Sequence, residues 1–381
     1  MKKHRRRDRR RKAYRKRNGQ RLTLSEYKSR RKKEIIIHSS MILVALALVI
    51  LGVTTLLSKV DLKKQFIKAT TPAEEEVKNE QPSPDIIDTV QRDDIKIKPY
   101  KTKSEDSHSF FNGYDVECSD NTASITDEEM KSAYAVLVNL DTKEVVASKD
   151  GDERISPASM TKILTLLVVA ENVDNLDDTC VMTDEIKDYV YANDCSNMGL
   201  VTGDVQTVKD LMYGTILCSG ADAALLLADY VAGSHEAFVE LMNKKLDDLG
   251  LSDTAHFTNC IGLFDDDHYC TPLDIAMILK AAEENELCHE ILSTRKYVST
   301  PTNSFPSGKE ISNLFLRRIE DKDTHGEIMG AKTGFVHQSG SCGASYSISN
   351  DGTHYICVTA NSNSSWTCIY DHVDIYDTYT S

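Results

Sequence analysis

No charged residue occurs between Ile35 and Leu57, a 23-residue stretch broken only by His38, Ser39, Ser40, Thr54 and Thr55. As a helix it would run roughly 35 Å, enough for a bilayer's hydrocarbon core. It is long for a cleavable signal peptide, and no small-x-small cleavage site follows closely. Proline is scarce, eight in 381 residues, and four of the eight cluster at Pro72, Pro82, Pro84 and Pro99. No cysteine precedes Cys118, and none of the ten forms a Cys-x-x-Cys pair. An exported chain with an even count can form disulfides, but this spacing gives no disulfide framework. A domain of some 260 residues also builds a core without such staples. Cys218, Cys342 and Cys357 sit in apolar runs suited to free thiols. Cys260 and Cys270 are the pair best placed to bridge. No Lys or Arg follows Lys332.

What is present divides the chain by charge. Residues 1–34 hold eighteen Lys/Arg against Asp8, Glu26 and Glu34, a net +15, so the remainder carries −29 of the total −14. A basic head beside an apolar span reads as a cytoplasmic tail under the positive-inside rule, with anionic lipid rather than nucleic acid as its neighbour. The expected organisation is a cytoplasmic tail at 1–34, a single transmembrane helix at 35–57, a disordered acidic linker at 58–112 and an extracellular domain at 113–381. The linker, as in "TTPAEEEVKNEQPSPD", buries too little to offset its ordering entropy.

Within the outer domain, "SAYAVLVNLDTKEVVASKDG" alternates around a turn and predicts a hairpin. Helical patterns dominate from Ser159 to about Glu286. Two helices flank Ser219-Gly220, an amphipathic one covers "HEAFVELMNKKLDDLG", and another starts at Thr271 with Pro272 at its first position. Strands return with "IMGAKTGFV" and with a hairpin turning at Asn350-Asp351-Gly352. A helix over "SSWTCIYDHVDIYDTY" ends the pattern. This order predicts an α+β fold: one antiparallel sheet with flanking terminal helices, an all-helical lobe beside it and a cleft between them.

Three short motifs occur in order. They are Ser159-Met160-Thr161-Lys162, Ser219-Gly220-Ala221 and Lys332-Thr333-Gly334. Ser-x-x-Lys alone is cheap, since Ser25, Ser29 and Ser293 begin the same pattern, and a bland reading makes Ser159 a helix cap. The ordered set is a pattern of penicillin-binding proteins and class A β-lactamases. Its logic is physical. A serine hydroxyl needs an adjacent base, and three residues along a helix put Lys162 on the face of Ser159. Lys162 serves as that base only if its pKa falls, through desolvation and a second cation at Lys332. Ser219 can relay a proton, and Lys332 with Thr333 can hold a carboxylate.

From about Ser132 to Asn363 the chain resembles the serine-type D-alanyl-D-alanine carboxypeptidases, the low-molecular-mass penicillin-binding proteins. "SPASMTKILTLL", "LLLADYVAGS", "LMNKKLDDLGLSDTAHFTN", "GLFDDDHYCTPLDIA" and "GAKTGFVHQSGSCGAS" carry the likeness. The resemblance implies a nucleophile at Ser159, its base at Lys162, a middle serine at Ser219 and substrate binding by Lys332, Thr333 and Gly334. It puts the oxyanion hole at the backbone N–H groups of Ser159 and Phe335. It implies a peptidoglycan stem peptide as substrate, β-lactams as covalent inhibitors, and no metal or organic cofactor. Ala221 stands where the family usually has Asn, and no later arginine can clamp a carboxylate. The family's second β-domain and C-terminal membrane helix are also expected to be missing, with the N-terminal anchor in their place. Two decoys are set aside. Glu240 to Asn243 matches the β-lactamase Glu-x-x-Asn but lies in the amphipathic helix, and the consecutive acids of Asp265 to Cys270 lack metal-ligand spacing. With Ala221, a catalytically weak wall sensor is the alternative to an enzyme.

Overall fold

The computed structural model describes residues 119–128 and 130–380. The expected tail at 1–34, span at 35–57 and linker at 58–112 lie outside the described residues. Among the described residues no helix is long and apolar enough to cross a membrane.

The chain enters a six-stranded sheet with β1 (Ala123–Ser124), β2 (Tyr134–Asn139) and β3 (Glu144–Lys149). A 3-10 turn (Ala158–Met160) leads into α1 (Thr161–Asn172). Then follow β4 (Thr179–Val181), α2 (Asp184–Ala192), β5 (Val205–Thr207), α3 (Val208–Leu217), α4 (Ala221–Ala232) and α5 (His235–Asp248). After these come α6 (Pro272–Glu283), α7 (Glu286–Ser293), β6 (Lys296–Val298), β7 (Glu310–Ser312) and α8 (Leu316–Ile319). The chain then returns to the sheet as β8 (Gly326–Val336), β9 (Gly340–Ser349) and β10 (His354–Ser362), before α9 (Ser365–Tyr379). The strand order is β1-β3-β2-β10-β9-β8, so the first and last segments meet at β2 and β10 in the middle of the sheet. β8 is an edge strand.

One detail departs from the expected sheet. β1 pairs with β3 in parallel, with Ala123 opposite Ala147. The chain turns after β1 and re-enters beyond β3 as β2, so β1 and β3 run the same way. All other pairings within the sheet are antiparallel. Of the expected flanking terminal helices, α9 is present; on the N-terminal side the described residues begin in a turn leading to β1.

Alternation along the strands sorts two cores. Val136, Val138, Ala344, Ile356 and Val358 join the helical lobe, while Ala135, Leu137, Ala331 and Cys357 pack with α8 and α9 on the opposite face. In the lobe, α1 is buried along its whole first part, from Thr161 to Val169, as an almost continuously apolar helix must be. α6 begins with the expected cap. Thr271 Oγ1 accepts from Asp274 N at 3.0 Å and the Asp274 carboxylate accepts from Thr271 N at 2.7 Å. Cys260 and Cys270 do not bridge. Both are buried free thiols, as all described cysteines are free. The Cys260 thiol turns toward Ala224 O, while Cys270 pairs its backbone with Ile155.

Candidate active site

Ser159 sits in the 3-10 turn that opens α1, and its backbone is gripped from two sides. Ala158 before it has φ +48°, a left-handed conformation unusual for alanine. A Cβ at Gly262 would lie 1.9 Å from Ala158 O, and one at Gly334 would lie 3.2 Å from Ser159 N. Only glycine fits at Gly262, which also has φ +81°. The loop that carries it is shaped by Asn259, whose Oδ1 accepts from the N–H groups of Ile261, Gly262 and Leu263. That loop turns Ile261 O toward the lysine.

Lys162 is 2% exposed. Its Nζ stands 3.0 Å from Ser159 Oγ and donates to Ile261 O at 2.6 Å. Burial lowers its pKa from 10.5 to about 8. Next to it, His268 fixes the start of α1. Its Nδ1 accepts from Thr258 N at 3.0 Å, and its Nε2 lies 2.9 Å from Thr161 Oγ1. Burial drops the His268 pKa to about 3, so this ring stays neutral and structural. The acidic run before it forms a loop, and among the described residues no His/Cys/Asp/Glu group could hold a metal ion.

Ser219 lies between α3 and α4 with φ +60° and is buried. Lys332 Nζ donates to Ser219 Oγ at 2.9 Å and to Thr333 O at 2.7 Å. Burial holds the Lys332 pKa well below its usual value, and the charge on Lys162 lowers it further. Burial is the main cause of the fall at both lysines, and two amines this close disfavour each other's protonation. Asp222 is a brace: its carboxylate accepts from the N–H groups of Met198, Gly199 and Leu200. Ala221 N donates to Ser196 O at 2.8 Å, and its methyl adds no polar group to the cleft.

Ser159, Lys162, Ser219, Thr333, Gly334 and Phe335 all line one cavity of about 690 Å³. Lys332 stands behind Ser219 and does not reach its wall. Sequence reasoning missed several parts of this site. Ile261 O and Gly262 come from an inconspicuous loop, Asn193 to Ser196 forms part of one wall, and Arg318 of α8 enters from the opposite face of the sheet. Nothing in "NLFLRRIED" marks it. Glu240 to Asn243 stays on α5, where the Asn243 side chain bonds the backbone of Phe257.

A family model described as D-alanyl-D-alanine carboxypeptidase matches residues 120–364. The chain belongs to that family. It is 39% identical over 154 residues to the D-alanyl-D-alanine carboxypeptidase DacF of Bacillus subtilis, covering 40% of this chain and 38% of the relative. It is 35% identical over 182 residues to the D-alanyl-D-alanine carboxypeptidase of Streptomyces sp. strain K15, covering 46% and 62%. The chain thus spans about two-fifths and three-fifths of these two relatives' lengths. A solved variant of the Streptomyces K15 DD-transpeptidase superposes with a TM-score of 0.60 at 28% identity, over 65% of this chain and 97% of that one. A D-alanyl-D-alanine carboxypeptidase from Mycobacterium tuberculosis, at 22% identity and a TM-score of 0.59, shares the fold; it covers 68% of this chain and 94% of that one. The mixed sheet-and-helix architecture is therefore that of the DD-peptidases.

Proposed function

We propose that this chain is a serine D-alanyl-D-alanine carboxypeptidase acting on peptidoglycan stem peptides through an acyl-enzyme on Ser159. The observation that carries the reading is the pair of contacts Lys162–Ser159 and Lys332–Ser219 beside one cavity. Neutral Lys162 accepts the Ser159 proton as Oγ attacks the carbonyl of the penultimate D-alanine, while its N–H stays on Ile261 O. The backbone N–H groups of Ser159 and Phe335 receive the developing oxyanion, with Gly334 allowing β8 to come this close. Collapse of the intermediate breaks the peptide bond. The departing amine takes its proton from the Lys162 ammonium through Ser219, and free D-alanine leaves. Water, deprotonated by the same lysine, then attacks the ester and releases the shortened peptide and Ser159. A β-lactam would follow the first half of this path, its ring amide opening on Ser159.

The uncharged run at 35–57, with its basic head, supports a single-pass anchor in the cell membrane, the N-terminus cytoplasmic and this domain outside. Two assays test the function. A fluorescent penicillin should label the full-length chain covalently, and Ser159→Ala should abolish the label. D-alanine should be released from a pentapeptide ending in D-Ala-D-Ala. Ala221 favours a second reading, a penicillin-binding wall sensor: labelling without D-alanine release would select it. Absence of both would sink the acyl-transfer reading.

A further inference from the structure

A donor that ends in a carboxylate is held best by a fixed cation, and the lysine expected to supply it does not line the cavity. Lys332 is 1% exposed, and its Nζ is engaged by Ser219 Oγ and Thr333 O. Lys162 is engaged by Ser159 and Ile261 O. No Lys or Arg follows Lys332 in the chain.

The other face of β8 offers a cation. Ala331 packs with Phe315, Leu316 and Ile369, opposite the helical lobe, so alternation sets Thr333 on the α8 side of the strand and Lys332 on the lobe side. Arg318 of α8 lines the same cavity as Thr333 and Ser159. The helix that carries it is tied to β8: Asn313 Nδ2 donates to Ala331 O at 3.0 Å, and Asn313 Oδ1 accepts from Phe315 N and Leu316 N. One Arg318 N–H donates to Leu314 O at 2.7 Å. A guanidinium has five such donors in a planar fork, and it keeps its charge at neutral pH even when half-buried. Arg318 makes no ion pair among those of the described residues.

We infer that Arg318 binds the carboxylate of the donor, reaching past the edge of β8 beside the Thr333 hydroxyl. It thereby takes the place of the arginine that the family resemblance puts later in the chain. The inference rests on the acyl-transfer reading above and names the charge that would select its substrates.

The test compares acylation of the full-length chain by a fluorescent penicillin with its carboxylate free and by the same penicillin as its methyl ester. Arg318→Gln should slow the free acid about ten- to a hundredfold, the size of one charge-assisted contact, and change the ester less than threefold. Arg318→Lys should restore part of the preference for the acid. Thermal melting of each variant checks that it folds. Equal slowing of acid and ester would mean that Arg318 only holds α8 in place, and no slowing of either would mean that it does not touch the donor; both overturn the inference while leaving acylation of Ser159 standing. A wild-type chain labelled by neither probe would instead overturn the acyl-transfer reading, and this inference with it.

Discussion

The two faces of the central sheet bury charged groups in opposite ways. Behind the sheet, Asp371 on α9 is 2% exposed and fully answered. It accepts from Lys131 N at 3.0 Å, from Ser132 N at 2.8 Å and from Ser132 Oγ at 2.5 Å. Beside it Ser345 Oγ links His372 Nδ1 and Tyr376 OH. In front of the sheet, Lys162 and Lys332 are as deeply buried, yet neither forms an ion pair among the described residues. Lys245 in the same lobe shows the alternative, paired with Glu171 at 2.6 Å. A buried group with its partners holds the fold, whereas a buried amine without a carboxylate has its proton loosened. The cleft is the place where the fold gives up stability for reactivity.

The sharpest way to break this contrast is Lys162→Met. Acylation of Ser159 should fall by about a hundred- to ten-thousandfold, the worth of a general base. The folded chain should meanwhile gain about 1–3 kcal/mol at pH 7, because a charged amine no longer has to be buried. Stopped-flow labelling and chemical denaturation read the two effects; a destabilised Lys162→Met would refute the idea that this amine costs stability. The pH dependence has the same origin. The Lys162 pKa is near 8 in the folded chain and near 10.5 unfolded. Between these values the unfolded chain holds the extra proton, so this group's contribution to stability rises with pH across that window. Below about pH 8 the full cost of the buried ammonium is present. The acylation rate should therefore climb about tenfold per pH unit and level off above about 8.

Gly262→Ala tests the grip on the nucleophile. Its methyl would collide with Ala158 O and force a strained φ. Acylation should drop about ten- to a hundredfold from misplacement of Ser159, with a lower melting temperature. On the other face, Asp371→Ala should cost about 2–4 kcal/mol of stability while leaving the acylation rate per folded molecule unchanged. A changed rate there would mean that the two faces are coupled. The smallest effect is expected from Ala221→Asn. One added hydrogen bond to the donor amide should raise D-alanine release by up to about tenfold. No change in that assay would show that the cleft already compensates for the missing amide.

Much of this was legible in the residues. The hairpins, the two helices around Ser219-Gly220, the Thr271 cap and α9 follow from period, turn chemistry and caps, which are local effects. The contact between Ser159 and Lys162 was legible for the same reason, since three residues of helix bring them together. Other features were not. The parallel pairing of β1, the free state of Cys260 and Cys270, and the Asn259-shaped loop that delivers Ile261 O depend on segments far apart in sequence.

The sequence alone thus settled which chemistry-bearing side chains exist and which of them are neighbours along a helix, because spacing and propensity act over a few residues. Only the tertiary structure decided that Lys332 hides behind Ser219, that burial lowers the pKa of both lysines, and that Arg318 reaches the cavity from across the sheet. Burial and through-space repulsion depend on packing between distant segments, and no local pattern encodes them.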